Sequence, residues 1–153
     1  MELSRDLKEF LTLLVAHDVE FMLVGAHAVA VHLYPRNTGD IDFWIRRSEE
    51  NAQRVLTVLR EFGFGDMELG ISDLMDPSAV IQLGREPNRI DLLTFLTGLD
   101  FDDCAPRAIV ATYEGVPVKV IGLDDLLKNK RATGRAKDLL DVQEYERRTK
   151  VKK

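Results

Sequence analysis

Apolar residues recur along the chain at helical spacing in several segments. Between Ser4 and His17 they form one stripe with a 3.6-residue period, and Ser4 is placed to cap the helix. A similar stripe follows Ser48 and predicts a second amphipathic helix. Small apolar residues from Ala26 to Leu33 predict a helix packed closely on a strand. Two further helices are predicted near the end of the chain, at Leu123–Ala132 and Arg135–Arg148.

Short apolar or alternating runs, bounded by turn residues, predict six strands. They are Phe21–Val24, Asp40–Ile45, Ala79–Leu83, Ile90–Phe95, Ile109–Tyr113 and Val116–Ile121. The last two form a predicted hairpin across Glu114-Gly115. Helices and strands alternate in the first half, and strands precede two helices in the second. The predicted class is therefore α/β (α+β), with a mixed sheet flanked by helices.

Length and composition indicate one globular domain. The chain has 153 residues, of which 45% are hydrophobic and 31% charged, a balance that disordered and membrane proteins do not share. We expect an α/β core over residues 1–121, closing helices over 122–149 and a basic tail over 150–153. No apolar run is long enough for a membrane span, and the start lacks the apolar centre of a signal peptide. A cytoplasmic protein with no membrane partner is expected.

A single cysteine, Cys104, excludes an intramolecular disulfide and any cysteine-based zinc cluster. The net charge is −5, yet residues 119–153 carry a net +5 and residues 1–118 a net −10. An acidic body and a basic C-terminal segment suit metal ions and phosphates respectively. Ordinary solvated helix surfaces would give the same asymmetry, so charge alone does not decide.

The candidate chemistry centres on Asp40 and Asp42, which share one face of a predicted strand, about 6–7 Å apart at the backbone. Two neighbouring carboxylates repel each other unless a cation lies between them, and Mg²⁺ prefers one or two carboxylates plus phosphate oxygens. Asp91 lies on another predicted strand. If the two strands are adjacent, the three acids converge on a site for one or two metal ions. The alternative is that these acids cap turns or face water.

A second candidate feature is Gly25-Ala26, between a predicted strand and a predicted helix. Without bulky side chains, this turn lets the backbone N–H groups of the helix N-terminus approach a phosphate. Small residues there also suit close packing of the helix on the strand. Arg36 precedes the acidic pair and is read either as a phosphate contact or as a surface arginine.

The order of these motifs resembles the signature of the DNA polymerase β-like nucleotidyltransferase superfamily. The resemblance runs through Val24-Gly25-Ala26-His27, then Thr38-Gly39-Asp40-Ile41-Asp42, then Arg89-Ile90-Asp91. It is closest to the small prokaryotic branch that includes the abortive-infection (AbiEii-like) and toxin–antitoxin nucleotidyltransferases. The segments Lys128-Asn129-Lys130 and Arg135-Ala136-Lys137-Asp138 are similar to the closing motif of that branch.

The resemblance implies a nucleotidyltransferase fold and a role for each matching residue. Asp40, Asp42 and Asp91 would bind Mg²⁺ or Mn²⁺, with Asp91 also helping to activate the acceptor hydroxyl. Gly25 and Ala26 would hold the triphosphate, although Ala26 replaces the second Gly or Ser of the family pattern. The candidate residues of the closing helices are Lys130, placed with the catalytic residues, and the nucleotide-binding Arg135, Lys137 and Asp138.

The implied activity is transfer of a nucleoside monophosphate from an NTP, such as ATP, to a hydroxyl of RNA, a tRNA end included, or of a protein. The resemblance also implies a toxin role with a cognate antitoxin as partner. The alternative is a non-catalytic module that keeps the fold and binds a nucleotide or a partner. His27 and His32 are interpreted as surface or packing residues, and Trp44 as a core residue rather than a base-stacking one.

Overall fold

The computed structural model describes residues 4–151, so the last two residues of the predicted basic tail lie outside it. Seven α-helices and six strands are present in this range, together with a π-helical turn (Arg60–Phe64) and a 3-10 turn (Ala105–Arg107). The helices are α1 (Arg5–Ala16), α2 (Gly25–His32), α3 (Glu49–Leu59), α4 (Ile71–Met75), α5 (Phe101–Cys104), α6 (Leu123–Thr133) and α7 (Ala136–Val151). The strands are β1 (Phe21–Val24), β2 (Asp40–Ile45), β3 (Val80–Leu83), β4 (Arg89–Leu93), β5 (Ile109–Tyr113) and β6 (Val116–Val120).

The six strands form one mixed sheet in the order β3-β4-β2-β1-β6-β5. Strand β2 pairs in parallel with β4 and antiparallel with β1, while β1 pairs in parallel with β6. Two antiparallel hairpins, β3-β4 and β5-β6, complete the two edges. The predicted fold class, a mixed sheet flanked by helices, is confirmed.

Alternation along the central strands divides their side chains between two faces of the sheet. On one face, the ring of Phe43 packs against those of Phe10 and Phe21, with centroids 5.9 and 5.4 Å apart. On the other face, Trp44 is fully buried and meets Phe101 of α5 edge-on, at 5.2 Å. Trp44 is a core residue, in agreement with its interpretation from the sequence.

Local sequence determines where the longer helices begin and end. The hydroxyl oxygens of Ser4 and Ser48 accept hydrogen bonds from the first turns of α1 and α3, and each helix buries one apolar stripe. Helix α6 ends at Gly134, whose φ of 65° lies in the left-handed region. In the described part of the chain, no helix is both long enough and apolar enough to cross a membrane.

Candidate functional site

The three acidic residues meet because β2 and β4 are parallel neighbours. Their register places Asp42 directly opposite Asp91, and Asp40 lies two residues earlier on the same face of β2. Each carboxylate offers an oxygen, and these three oxygens lie within 4.8 Å of one another. The structure thus brings together the three acids that the sequence pattern predicted would converge.

The turn at Gly25 closes one side of this cluster. Gly25 follows β1 directly, has a φ of +68° and begins α2. A Cβ atom at this position would lie 2.0 Å from Oδ2 of Asp42. Glycine is therefore required both by the backbone conformation and by the carboxylate packed against it.

Charge is distributed unequally over the acidic cluster. The guanidinium of Arg89 donates to Asp40 Oδ2 at 2.7 Å and to Asp91 Oδ1 and Oδ2 at 3.0 and 3.1 Å. The Thr38 hydroxyl lies 2.6 Å from Asp40 Oδ1. Burial opposes ionisation of Asp40, but the Thr38 hydrogen bond and the Arg89 charge together lower its pKa below the usual value. Burial, reinforced by the charge of Asp40, raises the pKa of Asp42 to about 7.

The opposite side of the site is formed by α6 and α7, which carry a buried cluster of charges. The ammonium of Lys130 donates to Asp141 at 2.8 Å and to Asp138 at 3.2 Å, and all three side chains are buried. Asp138 also accepts from Thr133 at 2.6 Å and from Arg135 at 2.8 Å. These contacts outweigh burial and lower the pKa of Asp138. Burial also opposes ionisation of Asp141, but hydrogen bonds from Arg36, Lys130 and Tyr34 lower its pKa.

Arg36 joins the loop before β2 to this cluster. Its guanidinium pairs with Asp141 and donates to the Tyr34 hydroxyl at 2.8 Å, while Tyr34 donates to Asp141 at 2.5 Å. The Arg36 side chain is only 20% exposed. It borders the site, yet its charge is already paired with a carboxylate.

One cavity of about 360 Å³ is lined by all the residues predicted to take part in catalysis, metal binding or nucleotide binding. Its walls come from the end of β1, the start of α2, strands β2 and β4, and helices α6 and α7. The predicted residues that line it are Gly25, Ala26, Arg36, Asp40, Asp42, Asp91, Lys130, Arg135, Lys137 and Asp138. Residues far apart in sequence thus surround a single space.

The histidines lie outside the walls of this cavity. His32 Nε2 is 2.7 Å from the carbonyl oxygen of Ile121, which fits its interpretation as a packing residue. Burial lowers the pKa of His27, whose Nδ1 is enclosed with no hydrogen-bond partner among the described residues.

Sequence reasoning missed the roles of Arg89, Tyr34 and Asp141. Arg89 was part of the Arg89-Ile90-Asp91 strand, and its separation of two residues from Asp91 places both on one face, a signal that was available. Asp141 follows Asp138 by three residues, so both lie on one face of α7. Nothing local in the sequence indicates that Tyr34 and Arg36 contact a helix more than 100 residues later.

The donor set fits a divalent metal ion. Three carboxylates are the hard oxygen ligands that Mg²⁺ and Mn²⁺ accept. The Arg89 guanidinium already stands in as a cation on two of them, and the absence of a Cβ at Gly25 leaves room for the third.

A comparison with family models matches residues 3–152 to the family described as "Nucleotidyl transferase of unknown function (DUF2204)". No curated protein matches the sequence. The match extends over nearly the whole chain, including the acidic cluster, the Gly25 turn and both closing helices.

Proposed function

Because the chain belongs to this nucleotidyl transferase family, we propose that it transfers a nucleoside monophosphate from an NTP to an acceptor hydroxyl with the aid of Mg²⁺ or Mn²⁺. The observation that carries the proposal is the convergence of Asp40, Asp42 and Asp91 beside the Gly25 turn, in one cavity with cationic side chains. Such an arrangement suits a triphosphate, because it provides oxygen ligands for a cation and donors for phosphate oxygens.

The three carboxylates have distinct places in the proposed reaction. Asp40, Asp42 and Asp91 would hold the metal ion, which when bound offsets charge on the phosphates and helps align the reacting oxygens. The acceptor oxygen forms a bond to the α-phosphorus of the NTP. The bond from that phosphorus to the oxygen bridging the α- and β-phosphates breaks, and pyrophosphate leaves. Asp91 would also accept a hydrogen bond from the acceptor hydroxyl and take its proton as that oxygen attacks.

The rest of the cavity would position the triphosphate. The small residues Gly25 and Ala26 allow phosphate oxygens to approach the backbone N–H groups at the start of α2. Arg135 and Lys137 are exposed at the cavity wall and supply positive charge there. Lys130 lies deeper and carries its charge between two aspartates. Positioning and electrostatics thus provide most of the proposed catalysis.

For the acceptor, we favour a hydroxyl of RNA, a tRNA end included, over a protein hydroxyl. Exposed cations beside the cavity support this choice, because a polynucleotide backbone binds mainly through its phosphates. They are Arg135 and Lys137. A toxin activity controlled by a cognate antitoxin remains part of the proposal, and its support is the resemblance of the closing motif to that branch.

A second candidate function is a module that binds a nucleotide or a partner without catalysis. The observation in its favour is the pairing of Lys130 with Asp138 and Asp141, which neutralises a cation that transfer of a phosphoryl group would use. Ala26, in place of the second Gly or Ser, also removes a hydroxyl contact to phosphate.

Calorimetry with each NTP, with and without Mg²⁺, tests the proposed site. We expect metal-dependent binding by the wild type and its loss in Asp42→Asn, because the substitution removes a charged oxygen ligand. Asp66→Asn makes the same chemical change at an exposed position and should bind as the wild type does. Equal binding by Asp42→Asn and the wild type would contradict the metal site.

Transfer itself is tested by incubating the protein with α-labelled NTPs and either total RNA or total protein. We expect label on RNA, release of pyrophosphate, and no label with Asp42→Asn. Label on protein instead would assign the other acceptor. Metal-dependent NTP binding with no labelled product in any fraction would favour the binding module.

A further inference from the structure

Arg89 occupies the acidic cluster in the way that a metal ion would. It lies on β4, on the same face as Asp91, and β4 pairs with β2 so that Arg89 is opposite Asp40. Its guanidinium reaches three carboxylate oxygens at 2.7–3.1 Å: one of Asp40 and both of Asp91. The Arg89 side chain is 28% exposed, and that of Asp91 is 8% exposed.

These contacts leave few oxygens for another cation. The three acids have six carboxylate oxygens, of which three accept from Arg89 and a fourth, Asp40 Oδ1, contacts the Thr38 hydroxyl. Among the described residues, the guanidinium makes no hydrogen bond to either oxygen of Asp42. A divalent cation bridging all three acids would have to share oxygens with Arg89 at a separation of a few ångströms. The repulsion between two such cations is large at this distance, even in partly solvated surroundings.

We propose that Arg89 is an internal counter-ion, which holds Asp40 and Asp91 in place in the metal-free protein and is displaced from them when a divalent cation binds. The inference rests on the proposed function and adds a residue that sets how tightly this site binds its metal. Arg89 is a positioning residue in this role, because it acts on the carboxylates and not on the nucleotide.

The proposal predicts that loss of the guanidinium strengthens metal binding. We expect Arg89→Gln to bind Mn²⁺ at least about tenfold more tightly than the wild type, measured by the electron paramagnetic resonance of free Mn²⁺ without nucleotide. Arg89→Lys keeps the charge but cannot span two carboxylates. Its affinity for Mn²⁺ should therefore lie between those of the wild type and Arg89→Gln. Arg85→Gln removes the same charge from an exposed turn and should change the affinity less than twofold. Unchanged or weaker binding by Arg89→Gln would overturn the proposal.

The metal-free state provides a second readout, which does not depend on activity. With a chelator present, Arg89→Gln should have a lower Tm than Arg85→Gln, because the carboxylates lose their counter-ion. Saturating Mn²⁺ should remove most of that difference, because the metal ion takes the place of the guanidinium. If Arg89→Gln has the larger metal-induced increase in Tm, the proposal is supported, and if the two increases are equal it is wrong.

Wild-type protein gives a test that needs no folded variant. In a nitrogen-15 spectrum of the arginine side chains, the Nε–H signal of Arg89 is assigned by through-bond correlation to the Arg89 backbone. We expect saturating Mg²⁺ to speed its exchange with water, because its bond to Asp91 is broken. Exchange that stays as slow as in the metal-free protein would refute displacement.

The Mn²⁺ titration also separates this inference from the proposed function. Suppose that the wild type binds Mn²⁺, that Asp42→Asn does not, and that Arg89→Gln binds Mn²⁺ with the affinity of the wild type. The metal site then stands, and the role of Arg89 is wrong. If the wild type binds weakly and Arg89→Gln tightly, the role of Arg89 is supported. If neither protein binds Mn²⁺, the metal site of the proposed function fails, and the inference with it.

Discussion

At the residue scale, the candidate site depends on close packing between neighbouring residues. Gly25 is the clearest case, since Asp42 Oδ2 occupies the space that a methyl group would need. The same carboxylate is one of the three that converge on the site. A change at Gly25 should therefore affect both the stability of the turn and the metal site.

Replacing Gly25 with alanine should destabilise the protein by more than the conformational penalty alone. A residue with a Cβ at positive φ costs about 1–2 kcal/mol. Gly115→Ala, at a φ of +87° with no heavy atom within 4 Å of the added Cβ, should show about that cost in urea denaturation. Gly25→Ala should lose more, and should also lose metal-dependent NTP binding because Asp42 is displaced. Equal losses of stability in the two variants would show that the carboxylate moves away freely.

At the element scale, a chain of charged side chains joins α6 and α7 to each other and to the loop before β2. Lys130 of α6 bonds to Asp138 and Asp141 of α7, and Asp141 bonds in turn to Tyr34 and Arg36. Buried ion pairs of this kind add little net stability relative to apolar packing, but removal of one partner leaves an uncompensated charge. The cluster therefore makes the placement of both helices sensitive to single substitutions.

Lys130→Met should lower the free energy of unfolding by about 1–3 kcal/mol, because Asp138 and Asp141 lose their shared cation and keep only Arg135 and Arg36 as charged partners. Lys128→Met makes the same change on the exposed side of α6, and should stay within about 0.5 kcal/mol of the wild type. Urea denaturation at pH 7 measures both. A loss below 1 kcal/mol for Lys130→Met would mean that water reaches Asp138 and Asp141 readily.

The same cluster predicts a pH dependence of stability. The pKa of Asp141 is lower in the folded protein than in the unfolded chain, so the unfolded chain binds more protons as pH falls. The stability that Asp141 contributes is present above pH 4 and is lost as pH falls below that value. Urea midpoints between pH 6 and 2.5 should decrease more steeply for the wild type than for Asp141→Asn. Parallel decreases would show that other carboxylates govern acid unfolding.

The longer elements were predictable from sequence, because each carries a local signal. Ser4 and Ser48 cap helices whose apolar stripes are several turns long, and β2 alternates between two faces. The helices α4 and α5 were missed, because segments of five and four residues are too short to show a helical period. Their caps and turns are the only local signals they carry.

The site was partly predictable for the same reason. That Asp40 and Asp42 share a face follows from strand geometry alone. That Asp91 lies opposite Asp42 depends on the pairing of β4 with β2, which long-range packing decides. The contact of Arg36 with Asp141 is also long-range. The sequence alone therefore did not distinguish an Arg36 that binds phosphate from an Arg36 with a structural role.

At the scale of the whole molecule, the site is assembled from segments spread over most of the chain. The end of β1, the strands β2 and β4, and the helices α6 and α7 all contribute to the walls of one cavity. A ligand in that cavity contacts the sheet and the closing helices together, so its binding should stabilise the fold as a unit.

Metal and nucleotide together should therefore raise the Tm of the whole protein. A ligand at 100 times its Kd adds about 2.7 kcal/mol, which for a chain of this size corresponds to an increase of about 5–11 °C. We expect this shift with Mg²⁺ and the preferred NTP by differential scanning fluorimetry, and almost none with Asp42→Asn. The protein should unfold in a single transition whose midpoint rises when the ligands bind. Two separate transitions would show that α6 and α7 unfold independently of the sheet.

The hydrogen bonds from Tyr34 and Arg36 to Asp141 join residues that are 107 and 105 positions apart in the sequence. During synthesis on the ribosome, the strands that carry the acidic residues emerge long before α7 does. A nascent chain that stops short of residue 141 thus lacks the partner that holds the loop before β2 against the closing helices. Under the proposed function, the nucleotide site is therefore complete only once α7 has been synthesised.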